Sequence, residues 1–510
     1  MATTPEAVIE IGSTGIRLLV AQVKGNGEWE VIDFSELPVD LGRDVFTAGS
    51  ISRANILLCL HILSRFKEQL AGWGISPEQT RVIATSALRE AKNPDPIIDR
   101  ILIKTGFHVK IIDGIEENRL MYLAVTKKIK ALRKTYSDED AIILEVGGGS
   151  TEMMLIKKGK MAGAHSLKIG SIRIAQSLNY TAATSSDIRR YIQQFIFNTK
   201  GSLNDELDLS AVKQFFSVGS EPRLAAQTYG KKIGDGTWEI SRKEFEKFVR
   251  ELQNYSTEEI VAKFKIEYND AAQLYIGLSI YEMFIQLTNV DSIIVLETNI
   301  RDGAIISSTA EPSSELLTEF NSQITASALN LLDKYHGDAE HALYVAGLSL
   351  KIFDALRDEV GLDDRHRLLL EVAGILHDIG MFIRMGEHQF HSQYIIVNSE
   401  IFGLRKYENK LIGLIARFHR GSGLPQDDEQ FMMLPRSDRM MVLKLTAILR
   451  IADALDRAHQ QKLKGITITK QNDSLLLNTS SKHNIVLERK ALAEKANIFE
   501  YVFGYNIILS

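Results

Sequence analysis

The chain has 510 residues, too many for one hydrophobic core, and at roughly 150 residues per domain it predicts three or four domains. Its 45% hydrophobic and 25% charged residues are ordinary for a globular protein, and a net charge of −5 argues against a general nucleic-acid binder while leaving room for a local basic groove. The single cysteine, Cys59, excludes an intrachain disulfide and sits in an apolar helical run, so it reads as a small core thiol in a reducing compartment.

The opening residues lack a basic-then-apolar leader, and no apolar stretch is long enough to span a bilayer, so a soluble cytoplasmic protein is expected. Val8-Ile9-Glu10-Ile11 reads as a buried strand that delivers an acid into the small-residue turn Gly12-Ser13-Thr14, and a second strand returns over Arg17 to Val23. A helix over Ile51 to Leu70 and strands over Thr80 to Ala84 and Val109 to Ile112 continue an α/β pattern. Thr85, Ser86 and Arg89 end one strand with groups suited to phosphate oxygens, or simply with a helix cap and a surface arginine. Gly114-Ile115-Glu116-Glu117 then opens a helix. Acids there complement the helix dipole, and at the carboxyl end of a strand they are also placed to activate water.

After a charged stretch from Lys127 to Asp140 the first pattern repeats. Ile143-Leu144-Glu145-Val146 leads into Gly147-Gly148-Gly149-Ser150-Thr151, and a strand returns over Glu152 to Ile156. Two such turns suggest two half-sites across a cleft, with backbone N–H groups facing an anion and an acid beside each for a divalent cation. Helices over Ser185 to Thr199 and Ser241 to Gln253, and a strand over Ser292 to Leu296, complete the second unit. Past the linker Glu311-Pro312-Ser313-Ser314 the pattern is helical to about Lys464, and β signals return at Ile466 to Thr469, Leu475 to Leu477, Ile485 to Leu487 and Asn506 to Leu509. The expected division is an α/β lobe at 1–130, a second at 131–310, a helical domain at 311–463 and a small α+β cap at 464–510.

The strings EIGSTGIRLLV, ATSALREAKN, GIEENRL, EVGGGSTE, KIGSIRIA (168–175) and NIRDGAI (299–305) stand in the order and approximate spacing of the exopolyphosphatase and guanosine pentaphosphate phosphohydrolase family, part of the actin and hexokinase superfamily. The resemblance covers residues 6–310 and implies two actin-like (ribonuclease H-like) α/β lobes. It also implies removal of terminal phosphate from inorganic polyphosphate or guanosine pentaphosphate with Mg²⁺ or Mn²⁺, and a homodimer. By position, Glu116 resembles the carboxylate that activates water and Glu152 a further acid of the site. Gly147, Gly148, Gly149, Ser150 and Thr151 resemble the phosphate loop, with Ser13, Thr14, Arg17 and Arg89 on the opposite wall. Phosphoryl transfer needs charge neutralisation and an oriented nucleophile, which such a set supplies. Glu10 and Glu145 stand where the family has aspartates, and Ser217 to Arg223 is an eroded form of its Gly-Gly-Thr-x-Arg turn. Either the metal is shifted or water-bridged, or the lobes bind ligand without catalysis.

In the helical part His341 begins an apolar face with Val345, Leu348 and Ile352, His377-Asp378 ends a second helix, and Asp453 lies on a third. This series resembles the HD phosphohydrolase superfamily, which implies His341, His377, Asp378 and Asp453 as ligands of a second divalent metal. His388, His391 and His419 fall where some members hold another ion, or are loop histidines and a phosphate-binding surface group; one metal is the favoured count. The alternatives to cleft chemistry are a phosphomonoesterase or phosphodiesterase at this helical site with the lobes as sensor, and a non-catalytic guanosine pentaphosphate sensor. Lys168, Arg173, Arg189 and Arg190 are the candidates for a polyphosphate groove.

Overall fold

Apolar runs that alternate with small-residue turns build the first sheet of a computed structural model that describes residues 4–510 except 25–27, 133–138, 179–183, 311–313, 422–427 and 481–482. Strands β1 (Thr4–Ile11), β2 (Gly15–Val23), β3 (Trp29–Pro38), β4 (Thr80–Ala84) and β5 (Val109–Ile111) lie in the order β3-β2-β1-β4-β5. The first three are antiparallel and the last two run parallel to β1. The second sheet holds β6 (Ala141–Val146), β7 (Thr151–Lys157), β8 (Lys160–Leu167), β9 (Gln214–Val218), β10 (Lys231–Gly234), β11 (Thr237–Ser241) and β12 (Ser292–Leu296). Its stretch β8-β7-β6-β9-β12 repeats the order and directions of the first sheet, and β11 and β10 extend it. The repeat seen in sequence is thus a repeat of topology. Each sheet has its own core: Ile9, Leu18, Leu63 and Phe66 are buried in the first, Leu144, Met153, Phe215 and Ile276 in the second.

The chain divides into two compact units, Met1–Phe320 and Asn321–Ser510. Residues 311–313 of the expected linker lie outside the described residues. Helix Ile300–Thr309, counted with the second lobe in sequence, packs on β1 and on helix Gly114–Ala131 of the first. In the second unit the helices Ala339–Ala355, Asp364–Leu376, His388–Val397, Lys406–Phe418 and Arg436–Ala454 pack together. Strands β13 (Thr467–Gln471), β14 (Ser474–Asn478) and β15 (Asn506–Leu509) form a three-stranded sheet. Ile485-Val486-Leu487, expected as a strand, instead starts helix Val486–Phe503. Its buried Glu488, Ala491, Leu492, Ile498 and Phe499 follow a helical period, which outweighs three β-prone residues. That helix packs along Arg436–Ala454, so the expected cap is built into the helical unit. Among the described residues, no helix is long and apolar enough to cross a membrane.

Candidate functional site

Both hairpin turns close with the same hydrogen bond, Gly12 N–H to Gly15 O at 3.0 Å and Gly147 N–H to Ser150 O at 2.8 Å. The two turns meet. A Cβ on Gly148 would stand 3.2 Å from the Cβ of Ser13, and one on Gly149 would lie 2.5 Å from Ser86 Oγ, so glycine is what lets the loops approach. Ser13 Oγ and Ser86 Oγ are 3.0 Å apart, and Thr151 donates to Ile169 O at 2.7 Å. Arg173 donates to Gly149 O at 2.7 Å and pairs with Glu90 at 2.6 Å.

Register sets the acids. On the first sheet Glu10 stands opposite Arg17; on the second, Glu145 stands opposite Glu152. Glu10 pairs with Arg301, from the NIRDGAI segment, and with Arg17 at 3.5 Å, while Arg17 also holds Thr14 at 3.0 Å and Glu36 at 2.7 Å. Burial opposes the charge on Glu10, but the two arginines outweigh it and hold its carboxyl below the usual range. Glu145 has less relief: burial, then Glu10 and Glu117, outweigh the pull of Arg301 and push it up to about 8. Glu152 accepts from Ser166 Oγ at 2.8 Å and Asn118 Nδ2 at 3.2 Å, yet burial and Glu117 raise it well above the usual carboxylate range. Like charges directly opposite on a buried ladder repel, and hard oxygen donors so placed fit a divalent cation.

The first helical turn after β5 separates two neighbouring acids. Asp113 caps the helix by accepting from Glu116 N–H at 2.9 Å. Glu116 forms a two-pronged pair with Arg119, at 2.7 and 2.8 Å, and Arg119 also reaches Ser307 at 3.1 Å. Glu117 pairs with Arg89, and burial together with Glu10 and Asp113 leaves its carboxyl raised despite that arginine. Gly114 comes so near β8 that a Cβ there would overlap Ser166, and it would lie 3.5 Å from Glu152 Oε2 of β7. Thus Glu117 feels the charges of Glu10, Glu145 and Glu152, while Glu116, the acid expected from the sequence, is held by Arg119. The sequence signal was present as the Glu-Glu pair, but neighbours about 100° apart on a helix cannot be told apart without its rotation. Of the groove candidates, Arg173 is engaged as above, Arg189 pairs with buried Glu282 at 2.8 Å, and Lys168 and Arg190 are exposed.

In the second unit His341, His377, Asp378 and Asp453 come together. The Nε2 atoms of His341 and His377 are 3.3 Å apart, and Asp453 Oδ1 lies 3.8 and 3.9 Å from them. Burial holds His377 down to about 4, so it is neutral at pH 7, as a metal ligand must be. His341 is anchored through Nδ1 to Asp456 at 2.8 Å, a partner not singled out in the sequence; burial opposes its charge, but Asp456, Asp453 and Asp378 raise its pKa. Lys495, from helix Val486–Phe503, pairs with Asp453. His388 and His419 also reach Asp378; among the described residues His419 stands with His377 and Asp378, and His459 with His341 and Asp378, close enough to share a metal, whereas neither His388 nor His391 does so.

Residues 19–311 match the Ppx/GppA phosphatase family, and residues 325–496 match Ppx/GppA phosphatase, domain III. The chain belongs to the Ppx/GppA phosphatase family and is a hydrolase by class. The guanosine-5'-triphosphate,3'-diphosphate pyrophosphatase of Vibrio vulnificus is 23% identical over 482 residues, covering 92% of this chain and 91% of the relative. Its namesake from Aliivibrio fischeri is 22% identical with the same coverage. The crystal structure of an exopolyphosphatase from Cytophaga hutchinsonii aligns with a TM-score of 0.53 at 18% identity, over 60% of this chain and 98% of that one, which shows a shared fold.

Proposed function

We propose that the Met1–Phe320 unit removes terminal phosphate from inorganic polyphosphate or guanosine pentaphosphate, with Glu117 as the base that activates water. The observation that carries this reading is the cluster of buried Glu117, Glu152 and Glu10 with half-buried Glu145 beside two facing small-residue turns. The relatives' names support the substrate class. Mg²⁺ or Mn²⁺, when bound, supplies the positive charge that a multiply anionic phosphate needs, and Glu145 and Glu152 would hold it. Glu10 is already neutralised by Arg17 and Arg301, so the longer glutamate in lobe I serves an ion pair. The Gly147–Thr151 turn and Ser13 line the terminal phosphate, and Arg89 steadies the carboxylate of Glu117. The water oxygen bonds to phosphorus, the bridging P–O bond breaks, and the proton passes to Glu117. Orthophosphate release from each substrate with Mg²⁺, by wild type and Glu152→Ala, tests the reading: release by wild type and its loss in the variant are expected, and no release from either substrate contradicts it.

A second reading is favoured by the convergence of His341, His377, Asp378 and Asp453, the donor types of a metal-dependent phosphohydrolase of HD type. There the helical unit hydrolyses phosphate esters of nucleotides, and the lobes sense polyphosphate or guanosine pentaphosphate. Loss of ester hydrolysis in His377→Ala with anhydride hydrolysis intact would assign separate reactions to the two units.

A further inference from the structure

Helix Ser171–Ser177 is seated on the Gly147–Thr151 turn. Ser171 N–H donates to Gly147 O at 3.1 Å, and the N–H groups of Ile172 and Arg173 both donate to Gly148 O at 3.0 Å. The approach is close: a Cβ on Gly170 would lie 2.6 Å from Gly148 O and 2.7 Å from Gly147 O. The third carbonyl of the turn, Gly149 O, accepts from a side chain instead, Arg173 Nε at 2.7 Å. A trans peptide sets its N–H opposite its C=O, so holding these three carbonyls turns the N–H groups of Gly148, Gly149 and Ser150 away from the helix. Among the described residues no hydrogen bond takes up those three donors. Arg173 also reaches the first lobe: Nη2 pairs with Glu90 at 2.6 Å, and the guanidinium lies 4.3 Å from the centre of the Phe46 ring. Glu90 ends helix Ser86–Glu90, in which the preceding residue, Arg89, pairs with Glu117. Two nitrogens and one face of Arg173 are thus engaged, and one short helix connects the turn to the carboxylate assigned as base.

We propose that Arg173 is a positioning residue rather than a polyphosphate-groove cation: it fixes the Gly149–Ser150 peptide with its N–H toward the terminal phosphate and, through Glu90, sets the turn in register with Glu117. The inference rests on the cleft reading above and adds to it a residue that touches no substrate. Without this strut the peptide is free to turn, and a carbonyl in place of an N–H would face the phosphate. Lysine keeps the charge but not the planar fork, so one ammonium cannot hold the carbonyl and the carboxylate together.

Equilibrium binding of orthophosphate, the product, is measured with Mg²⁺ on the full chain beside steady-state kinetics, for wild type, Arg173→Ala, Arg173→Lys and Glu90→Gln. Both Arg173 variants are expected to bind orthophosphate about tenfold more weakly and to lose about 10–100-fold in kcat, because a misaimed donor acts like a missing one. The loss is the same on guanosine pentaphosphate and on polyphosphate of any length, and the salt dependence of KM does not change. Glu90→Gln gives a smaller loss of the same kind, and it carries the comparison alone if Arg173→Ala fails to fold. A rise in KM confined to long polyphosphate, with a flattened salt dependence, would make Arg173 a groove residue and overturn the proposal. A lower unfolding temperature with orthophosphate binding and kcat unchanged would overturn it as well. If wild type binds orthophosphate but releases none from either substrate, the hydrolytic reading falls while the binding comparison still decides the role of Arg173. If wild type does not bind orthophosphate, both fall.

Discussion

Glu145 and Glu152 face each other across β6 and β7 at the register position where β1 and β2 set Glu10 against Arg17. The duplicated scaffold therefore neutralises one half-site with its own side chains and leaves two acids together in the other. A stability signature follows. An unfolded glutamate titrates near about 4.3, whereas folded Glu145 is pushed to about 8. Between those values the native state holds a proton that the unfolded chain has lost. Metal-free stability therefore falls as pH rises through this window and levels above it. In EDTA, Glu145→Gln flattens the slope and is more stable than wild type at pH 8 by on the order of a few kcal/mol. Thermal unfolding from pH 5 to 9 checks this.

The close approach of the second turn to Phe46 and Ser86 makes Gly149 sensitive to one methyl group. Gly149→Ala would set a Cβ 2.5 Å from Ser86 Oγ, and the expected cost is about 1–3 kcal/mol with a raised KM. Ser86→Gly in the same chain should return part of both, which thermal unfolding and steady-state kinetics would show.

Cys59 is buried, and burial pushes its thiol up to about 12. Native protein at pH 8 should resist a thiol-specific disulfide reagent, while the denatured chain reacts at one site. Fast native labelling would contradict the packing of helix Arg53–Gly72.

Polyphosphate should bind with an affinity that declines as salt rises, because a polyanion held by cationic side chains releases counterions. KM measured against NaCl tests this, and a flat dependence counts against a long anionic chain as the substrate.

Much of this organisation was legible in the sequence because strand edges are marked by side chains. Thr80–Ala84, Ser292–Leu296 and Asn506–Leu509 occur with the expected bounds. The repeated acid-and-turn pattern foretold the matching sheets, and His341, His377, Asp378 and Asp453, grouped in the sequence only by a family resemblance, lie close together. What escaped depends on rotation and long-range packing. The difference between Glu116 and Glu117 is the phase of one helical turn, set by the pull of Arg119 on one and Arg89 on the other. The pairing of Arg301 with Glu10 joins residues 291 positions apart, and no local pattern announces it. Val486 and Leu487 looked like strand because three β-prone residues in a row outweigh, by eye, a helical period that begins only there.

The two neighbouring acids offer the most direct test. Orthophosphate release from polyphosphate and guanosine pentaphosphate is measured for wild type, Glu117→Gln and Glu116→Gln under the same Mg²⁺. Glu117→Gln should lose about 10²–10⁴-fold in kcat, whereas Glu116→Gln keeps kcat within about tenfold and is chiefly less stable through its broken pair with Arg119. Loss of turnover in Glu116→Gln with Glu117→Gln left active would contradict Glu117 as the base.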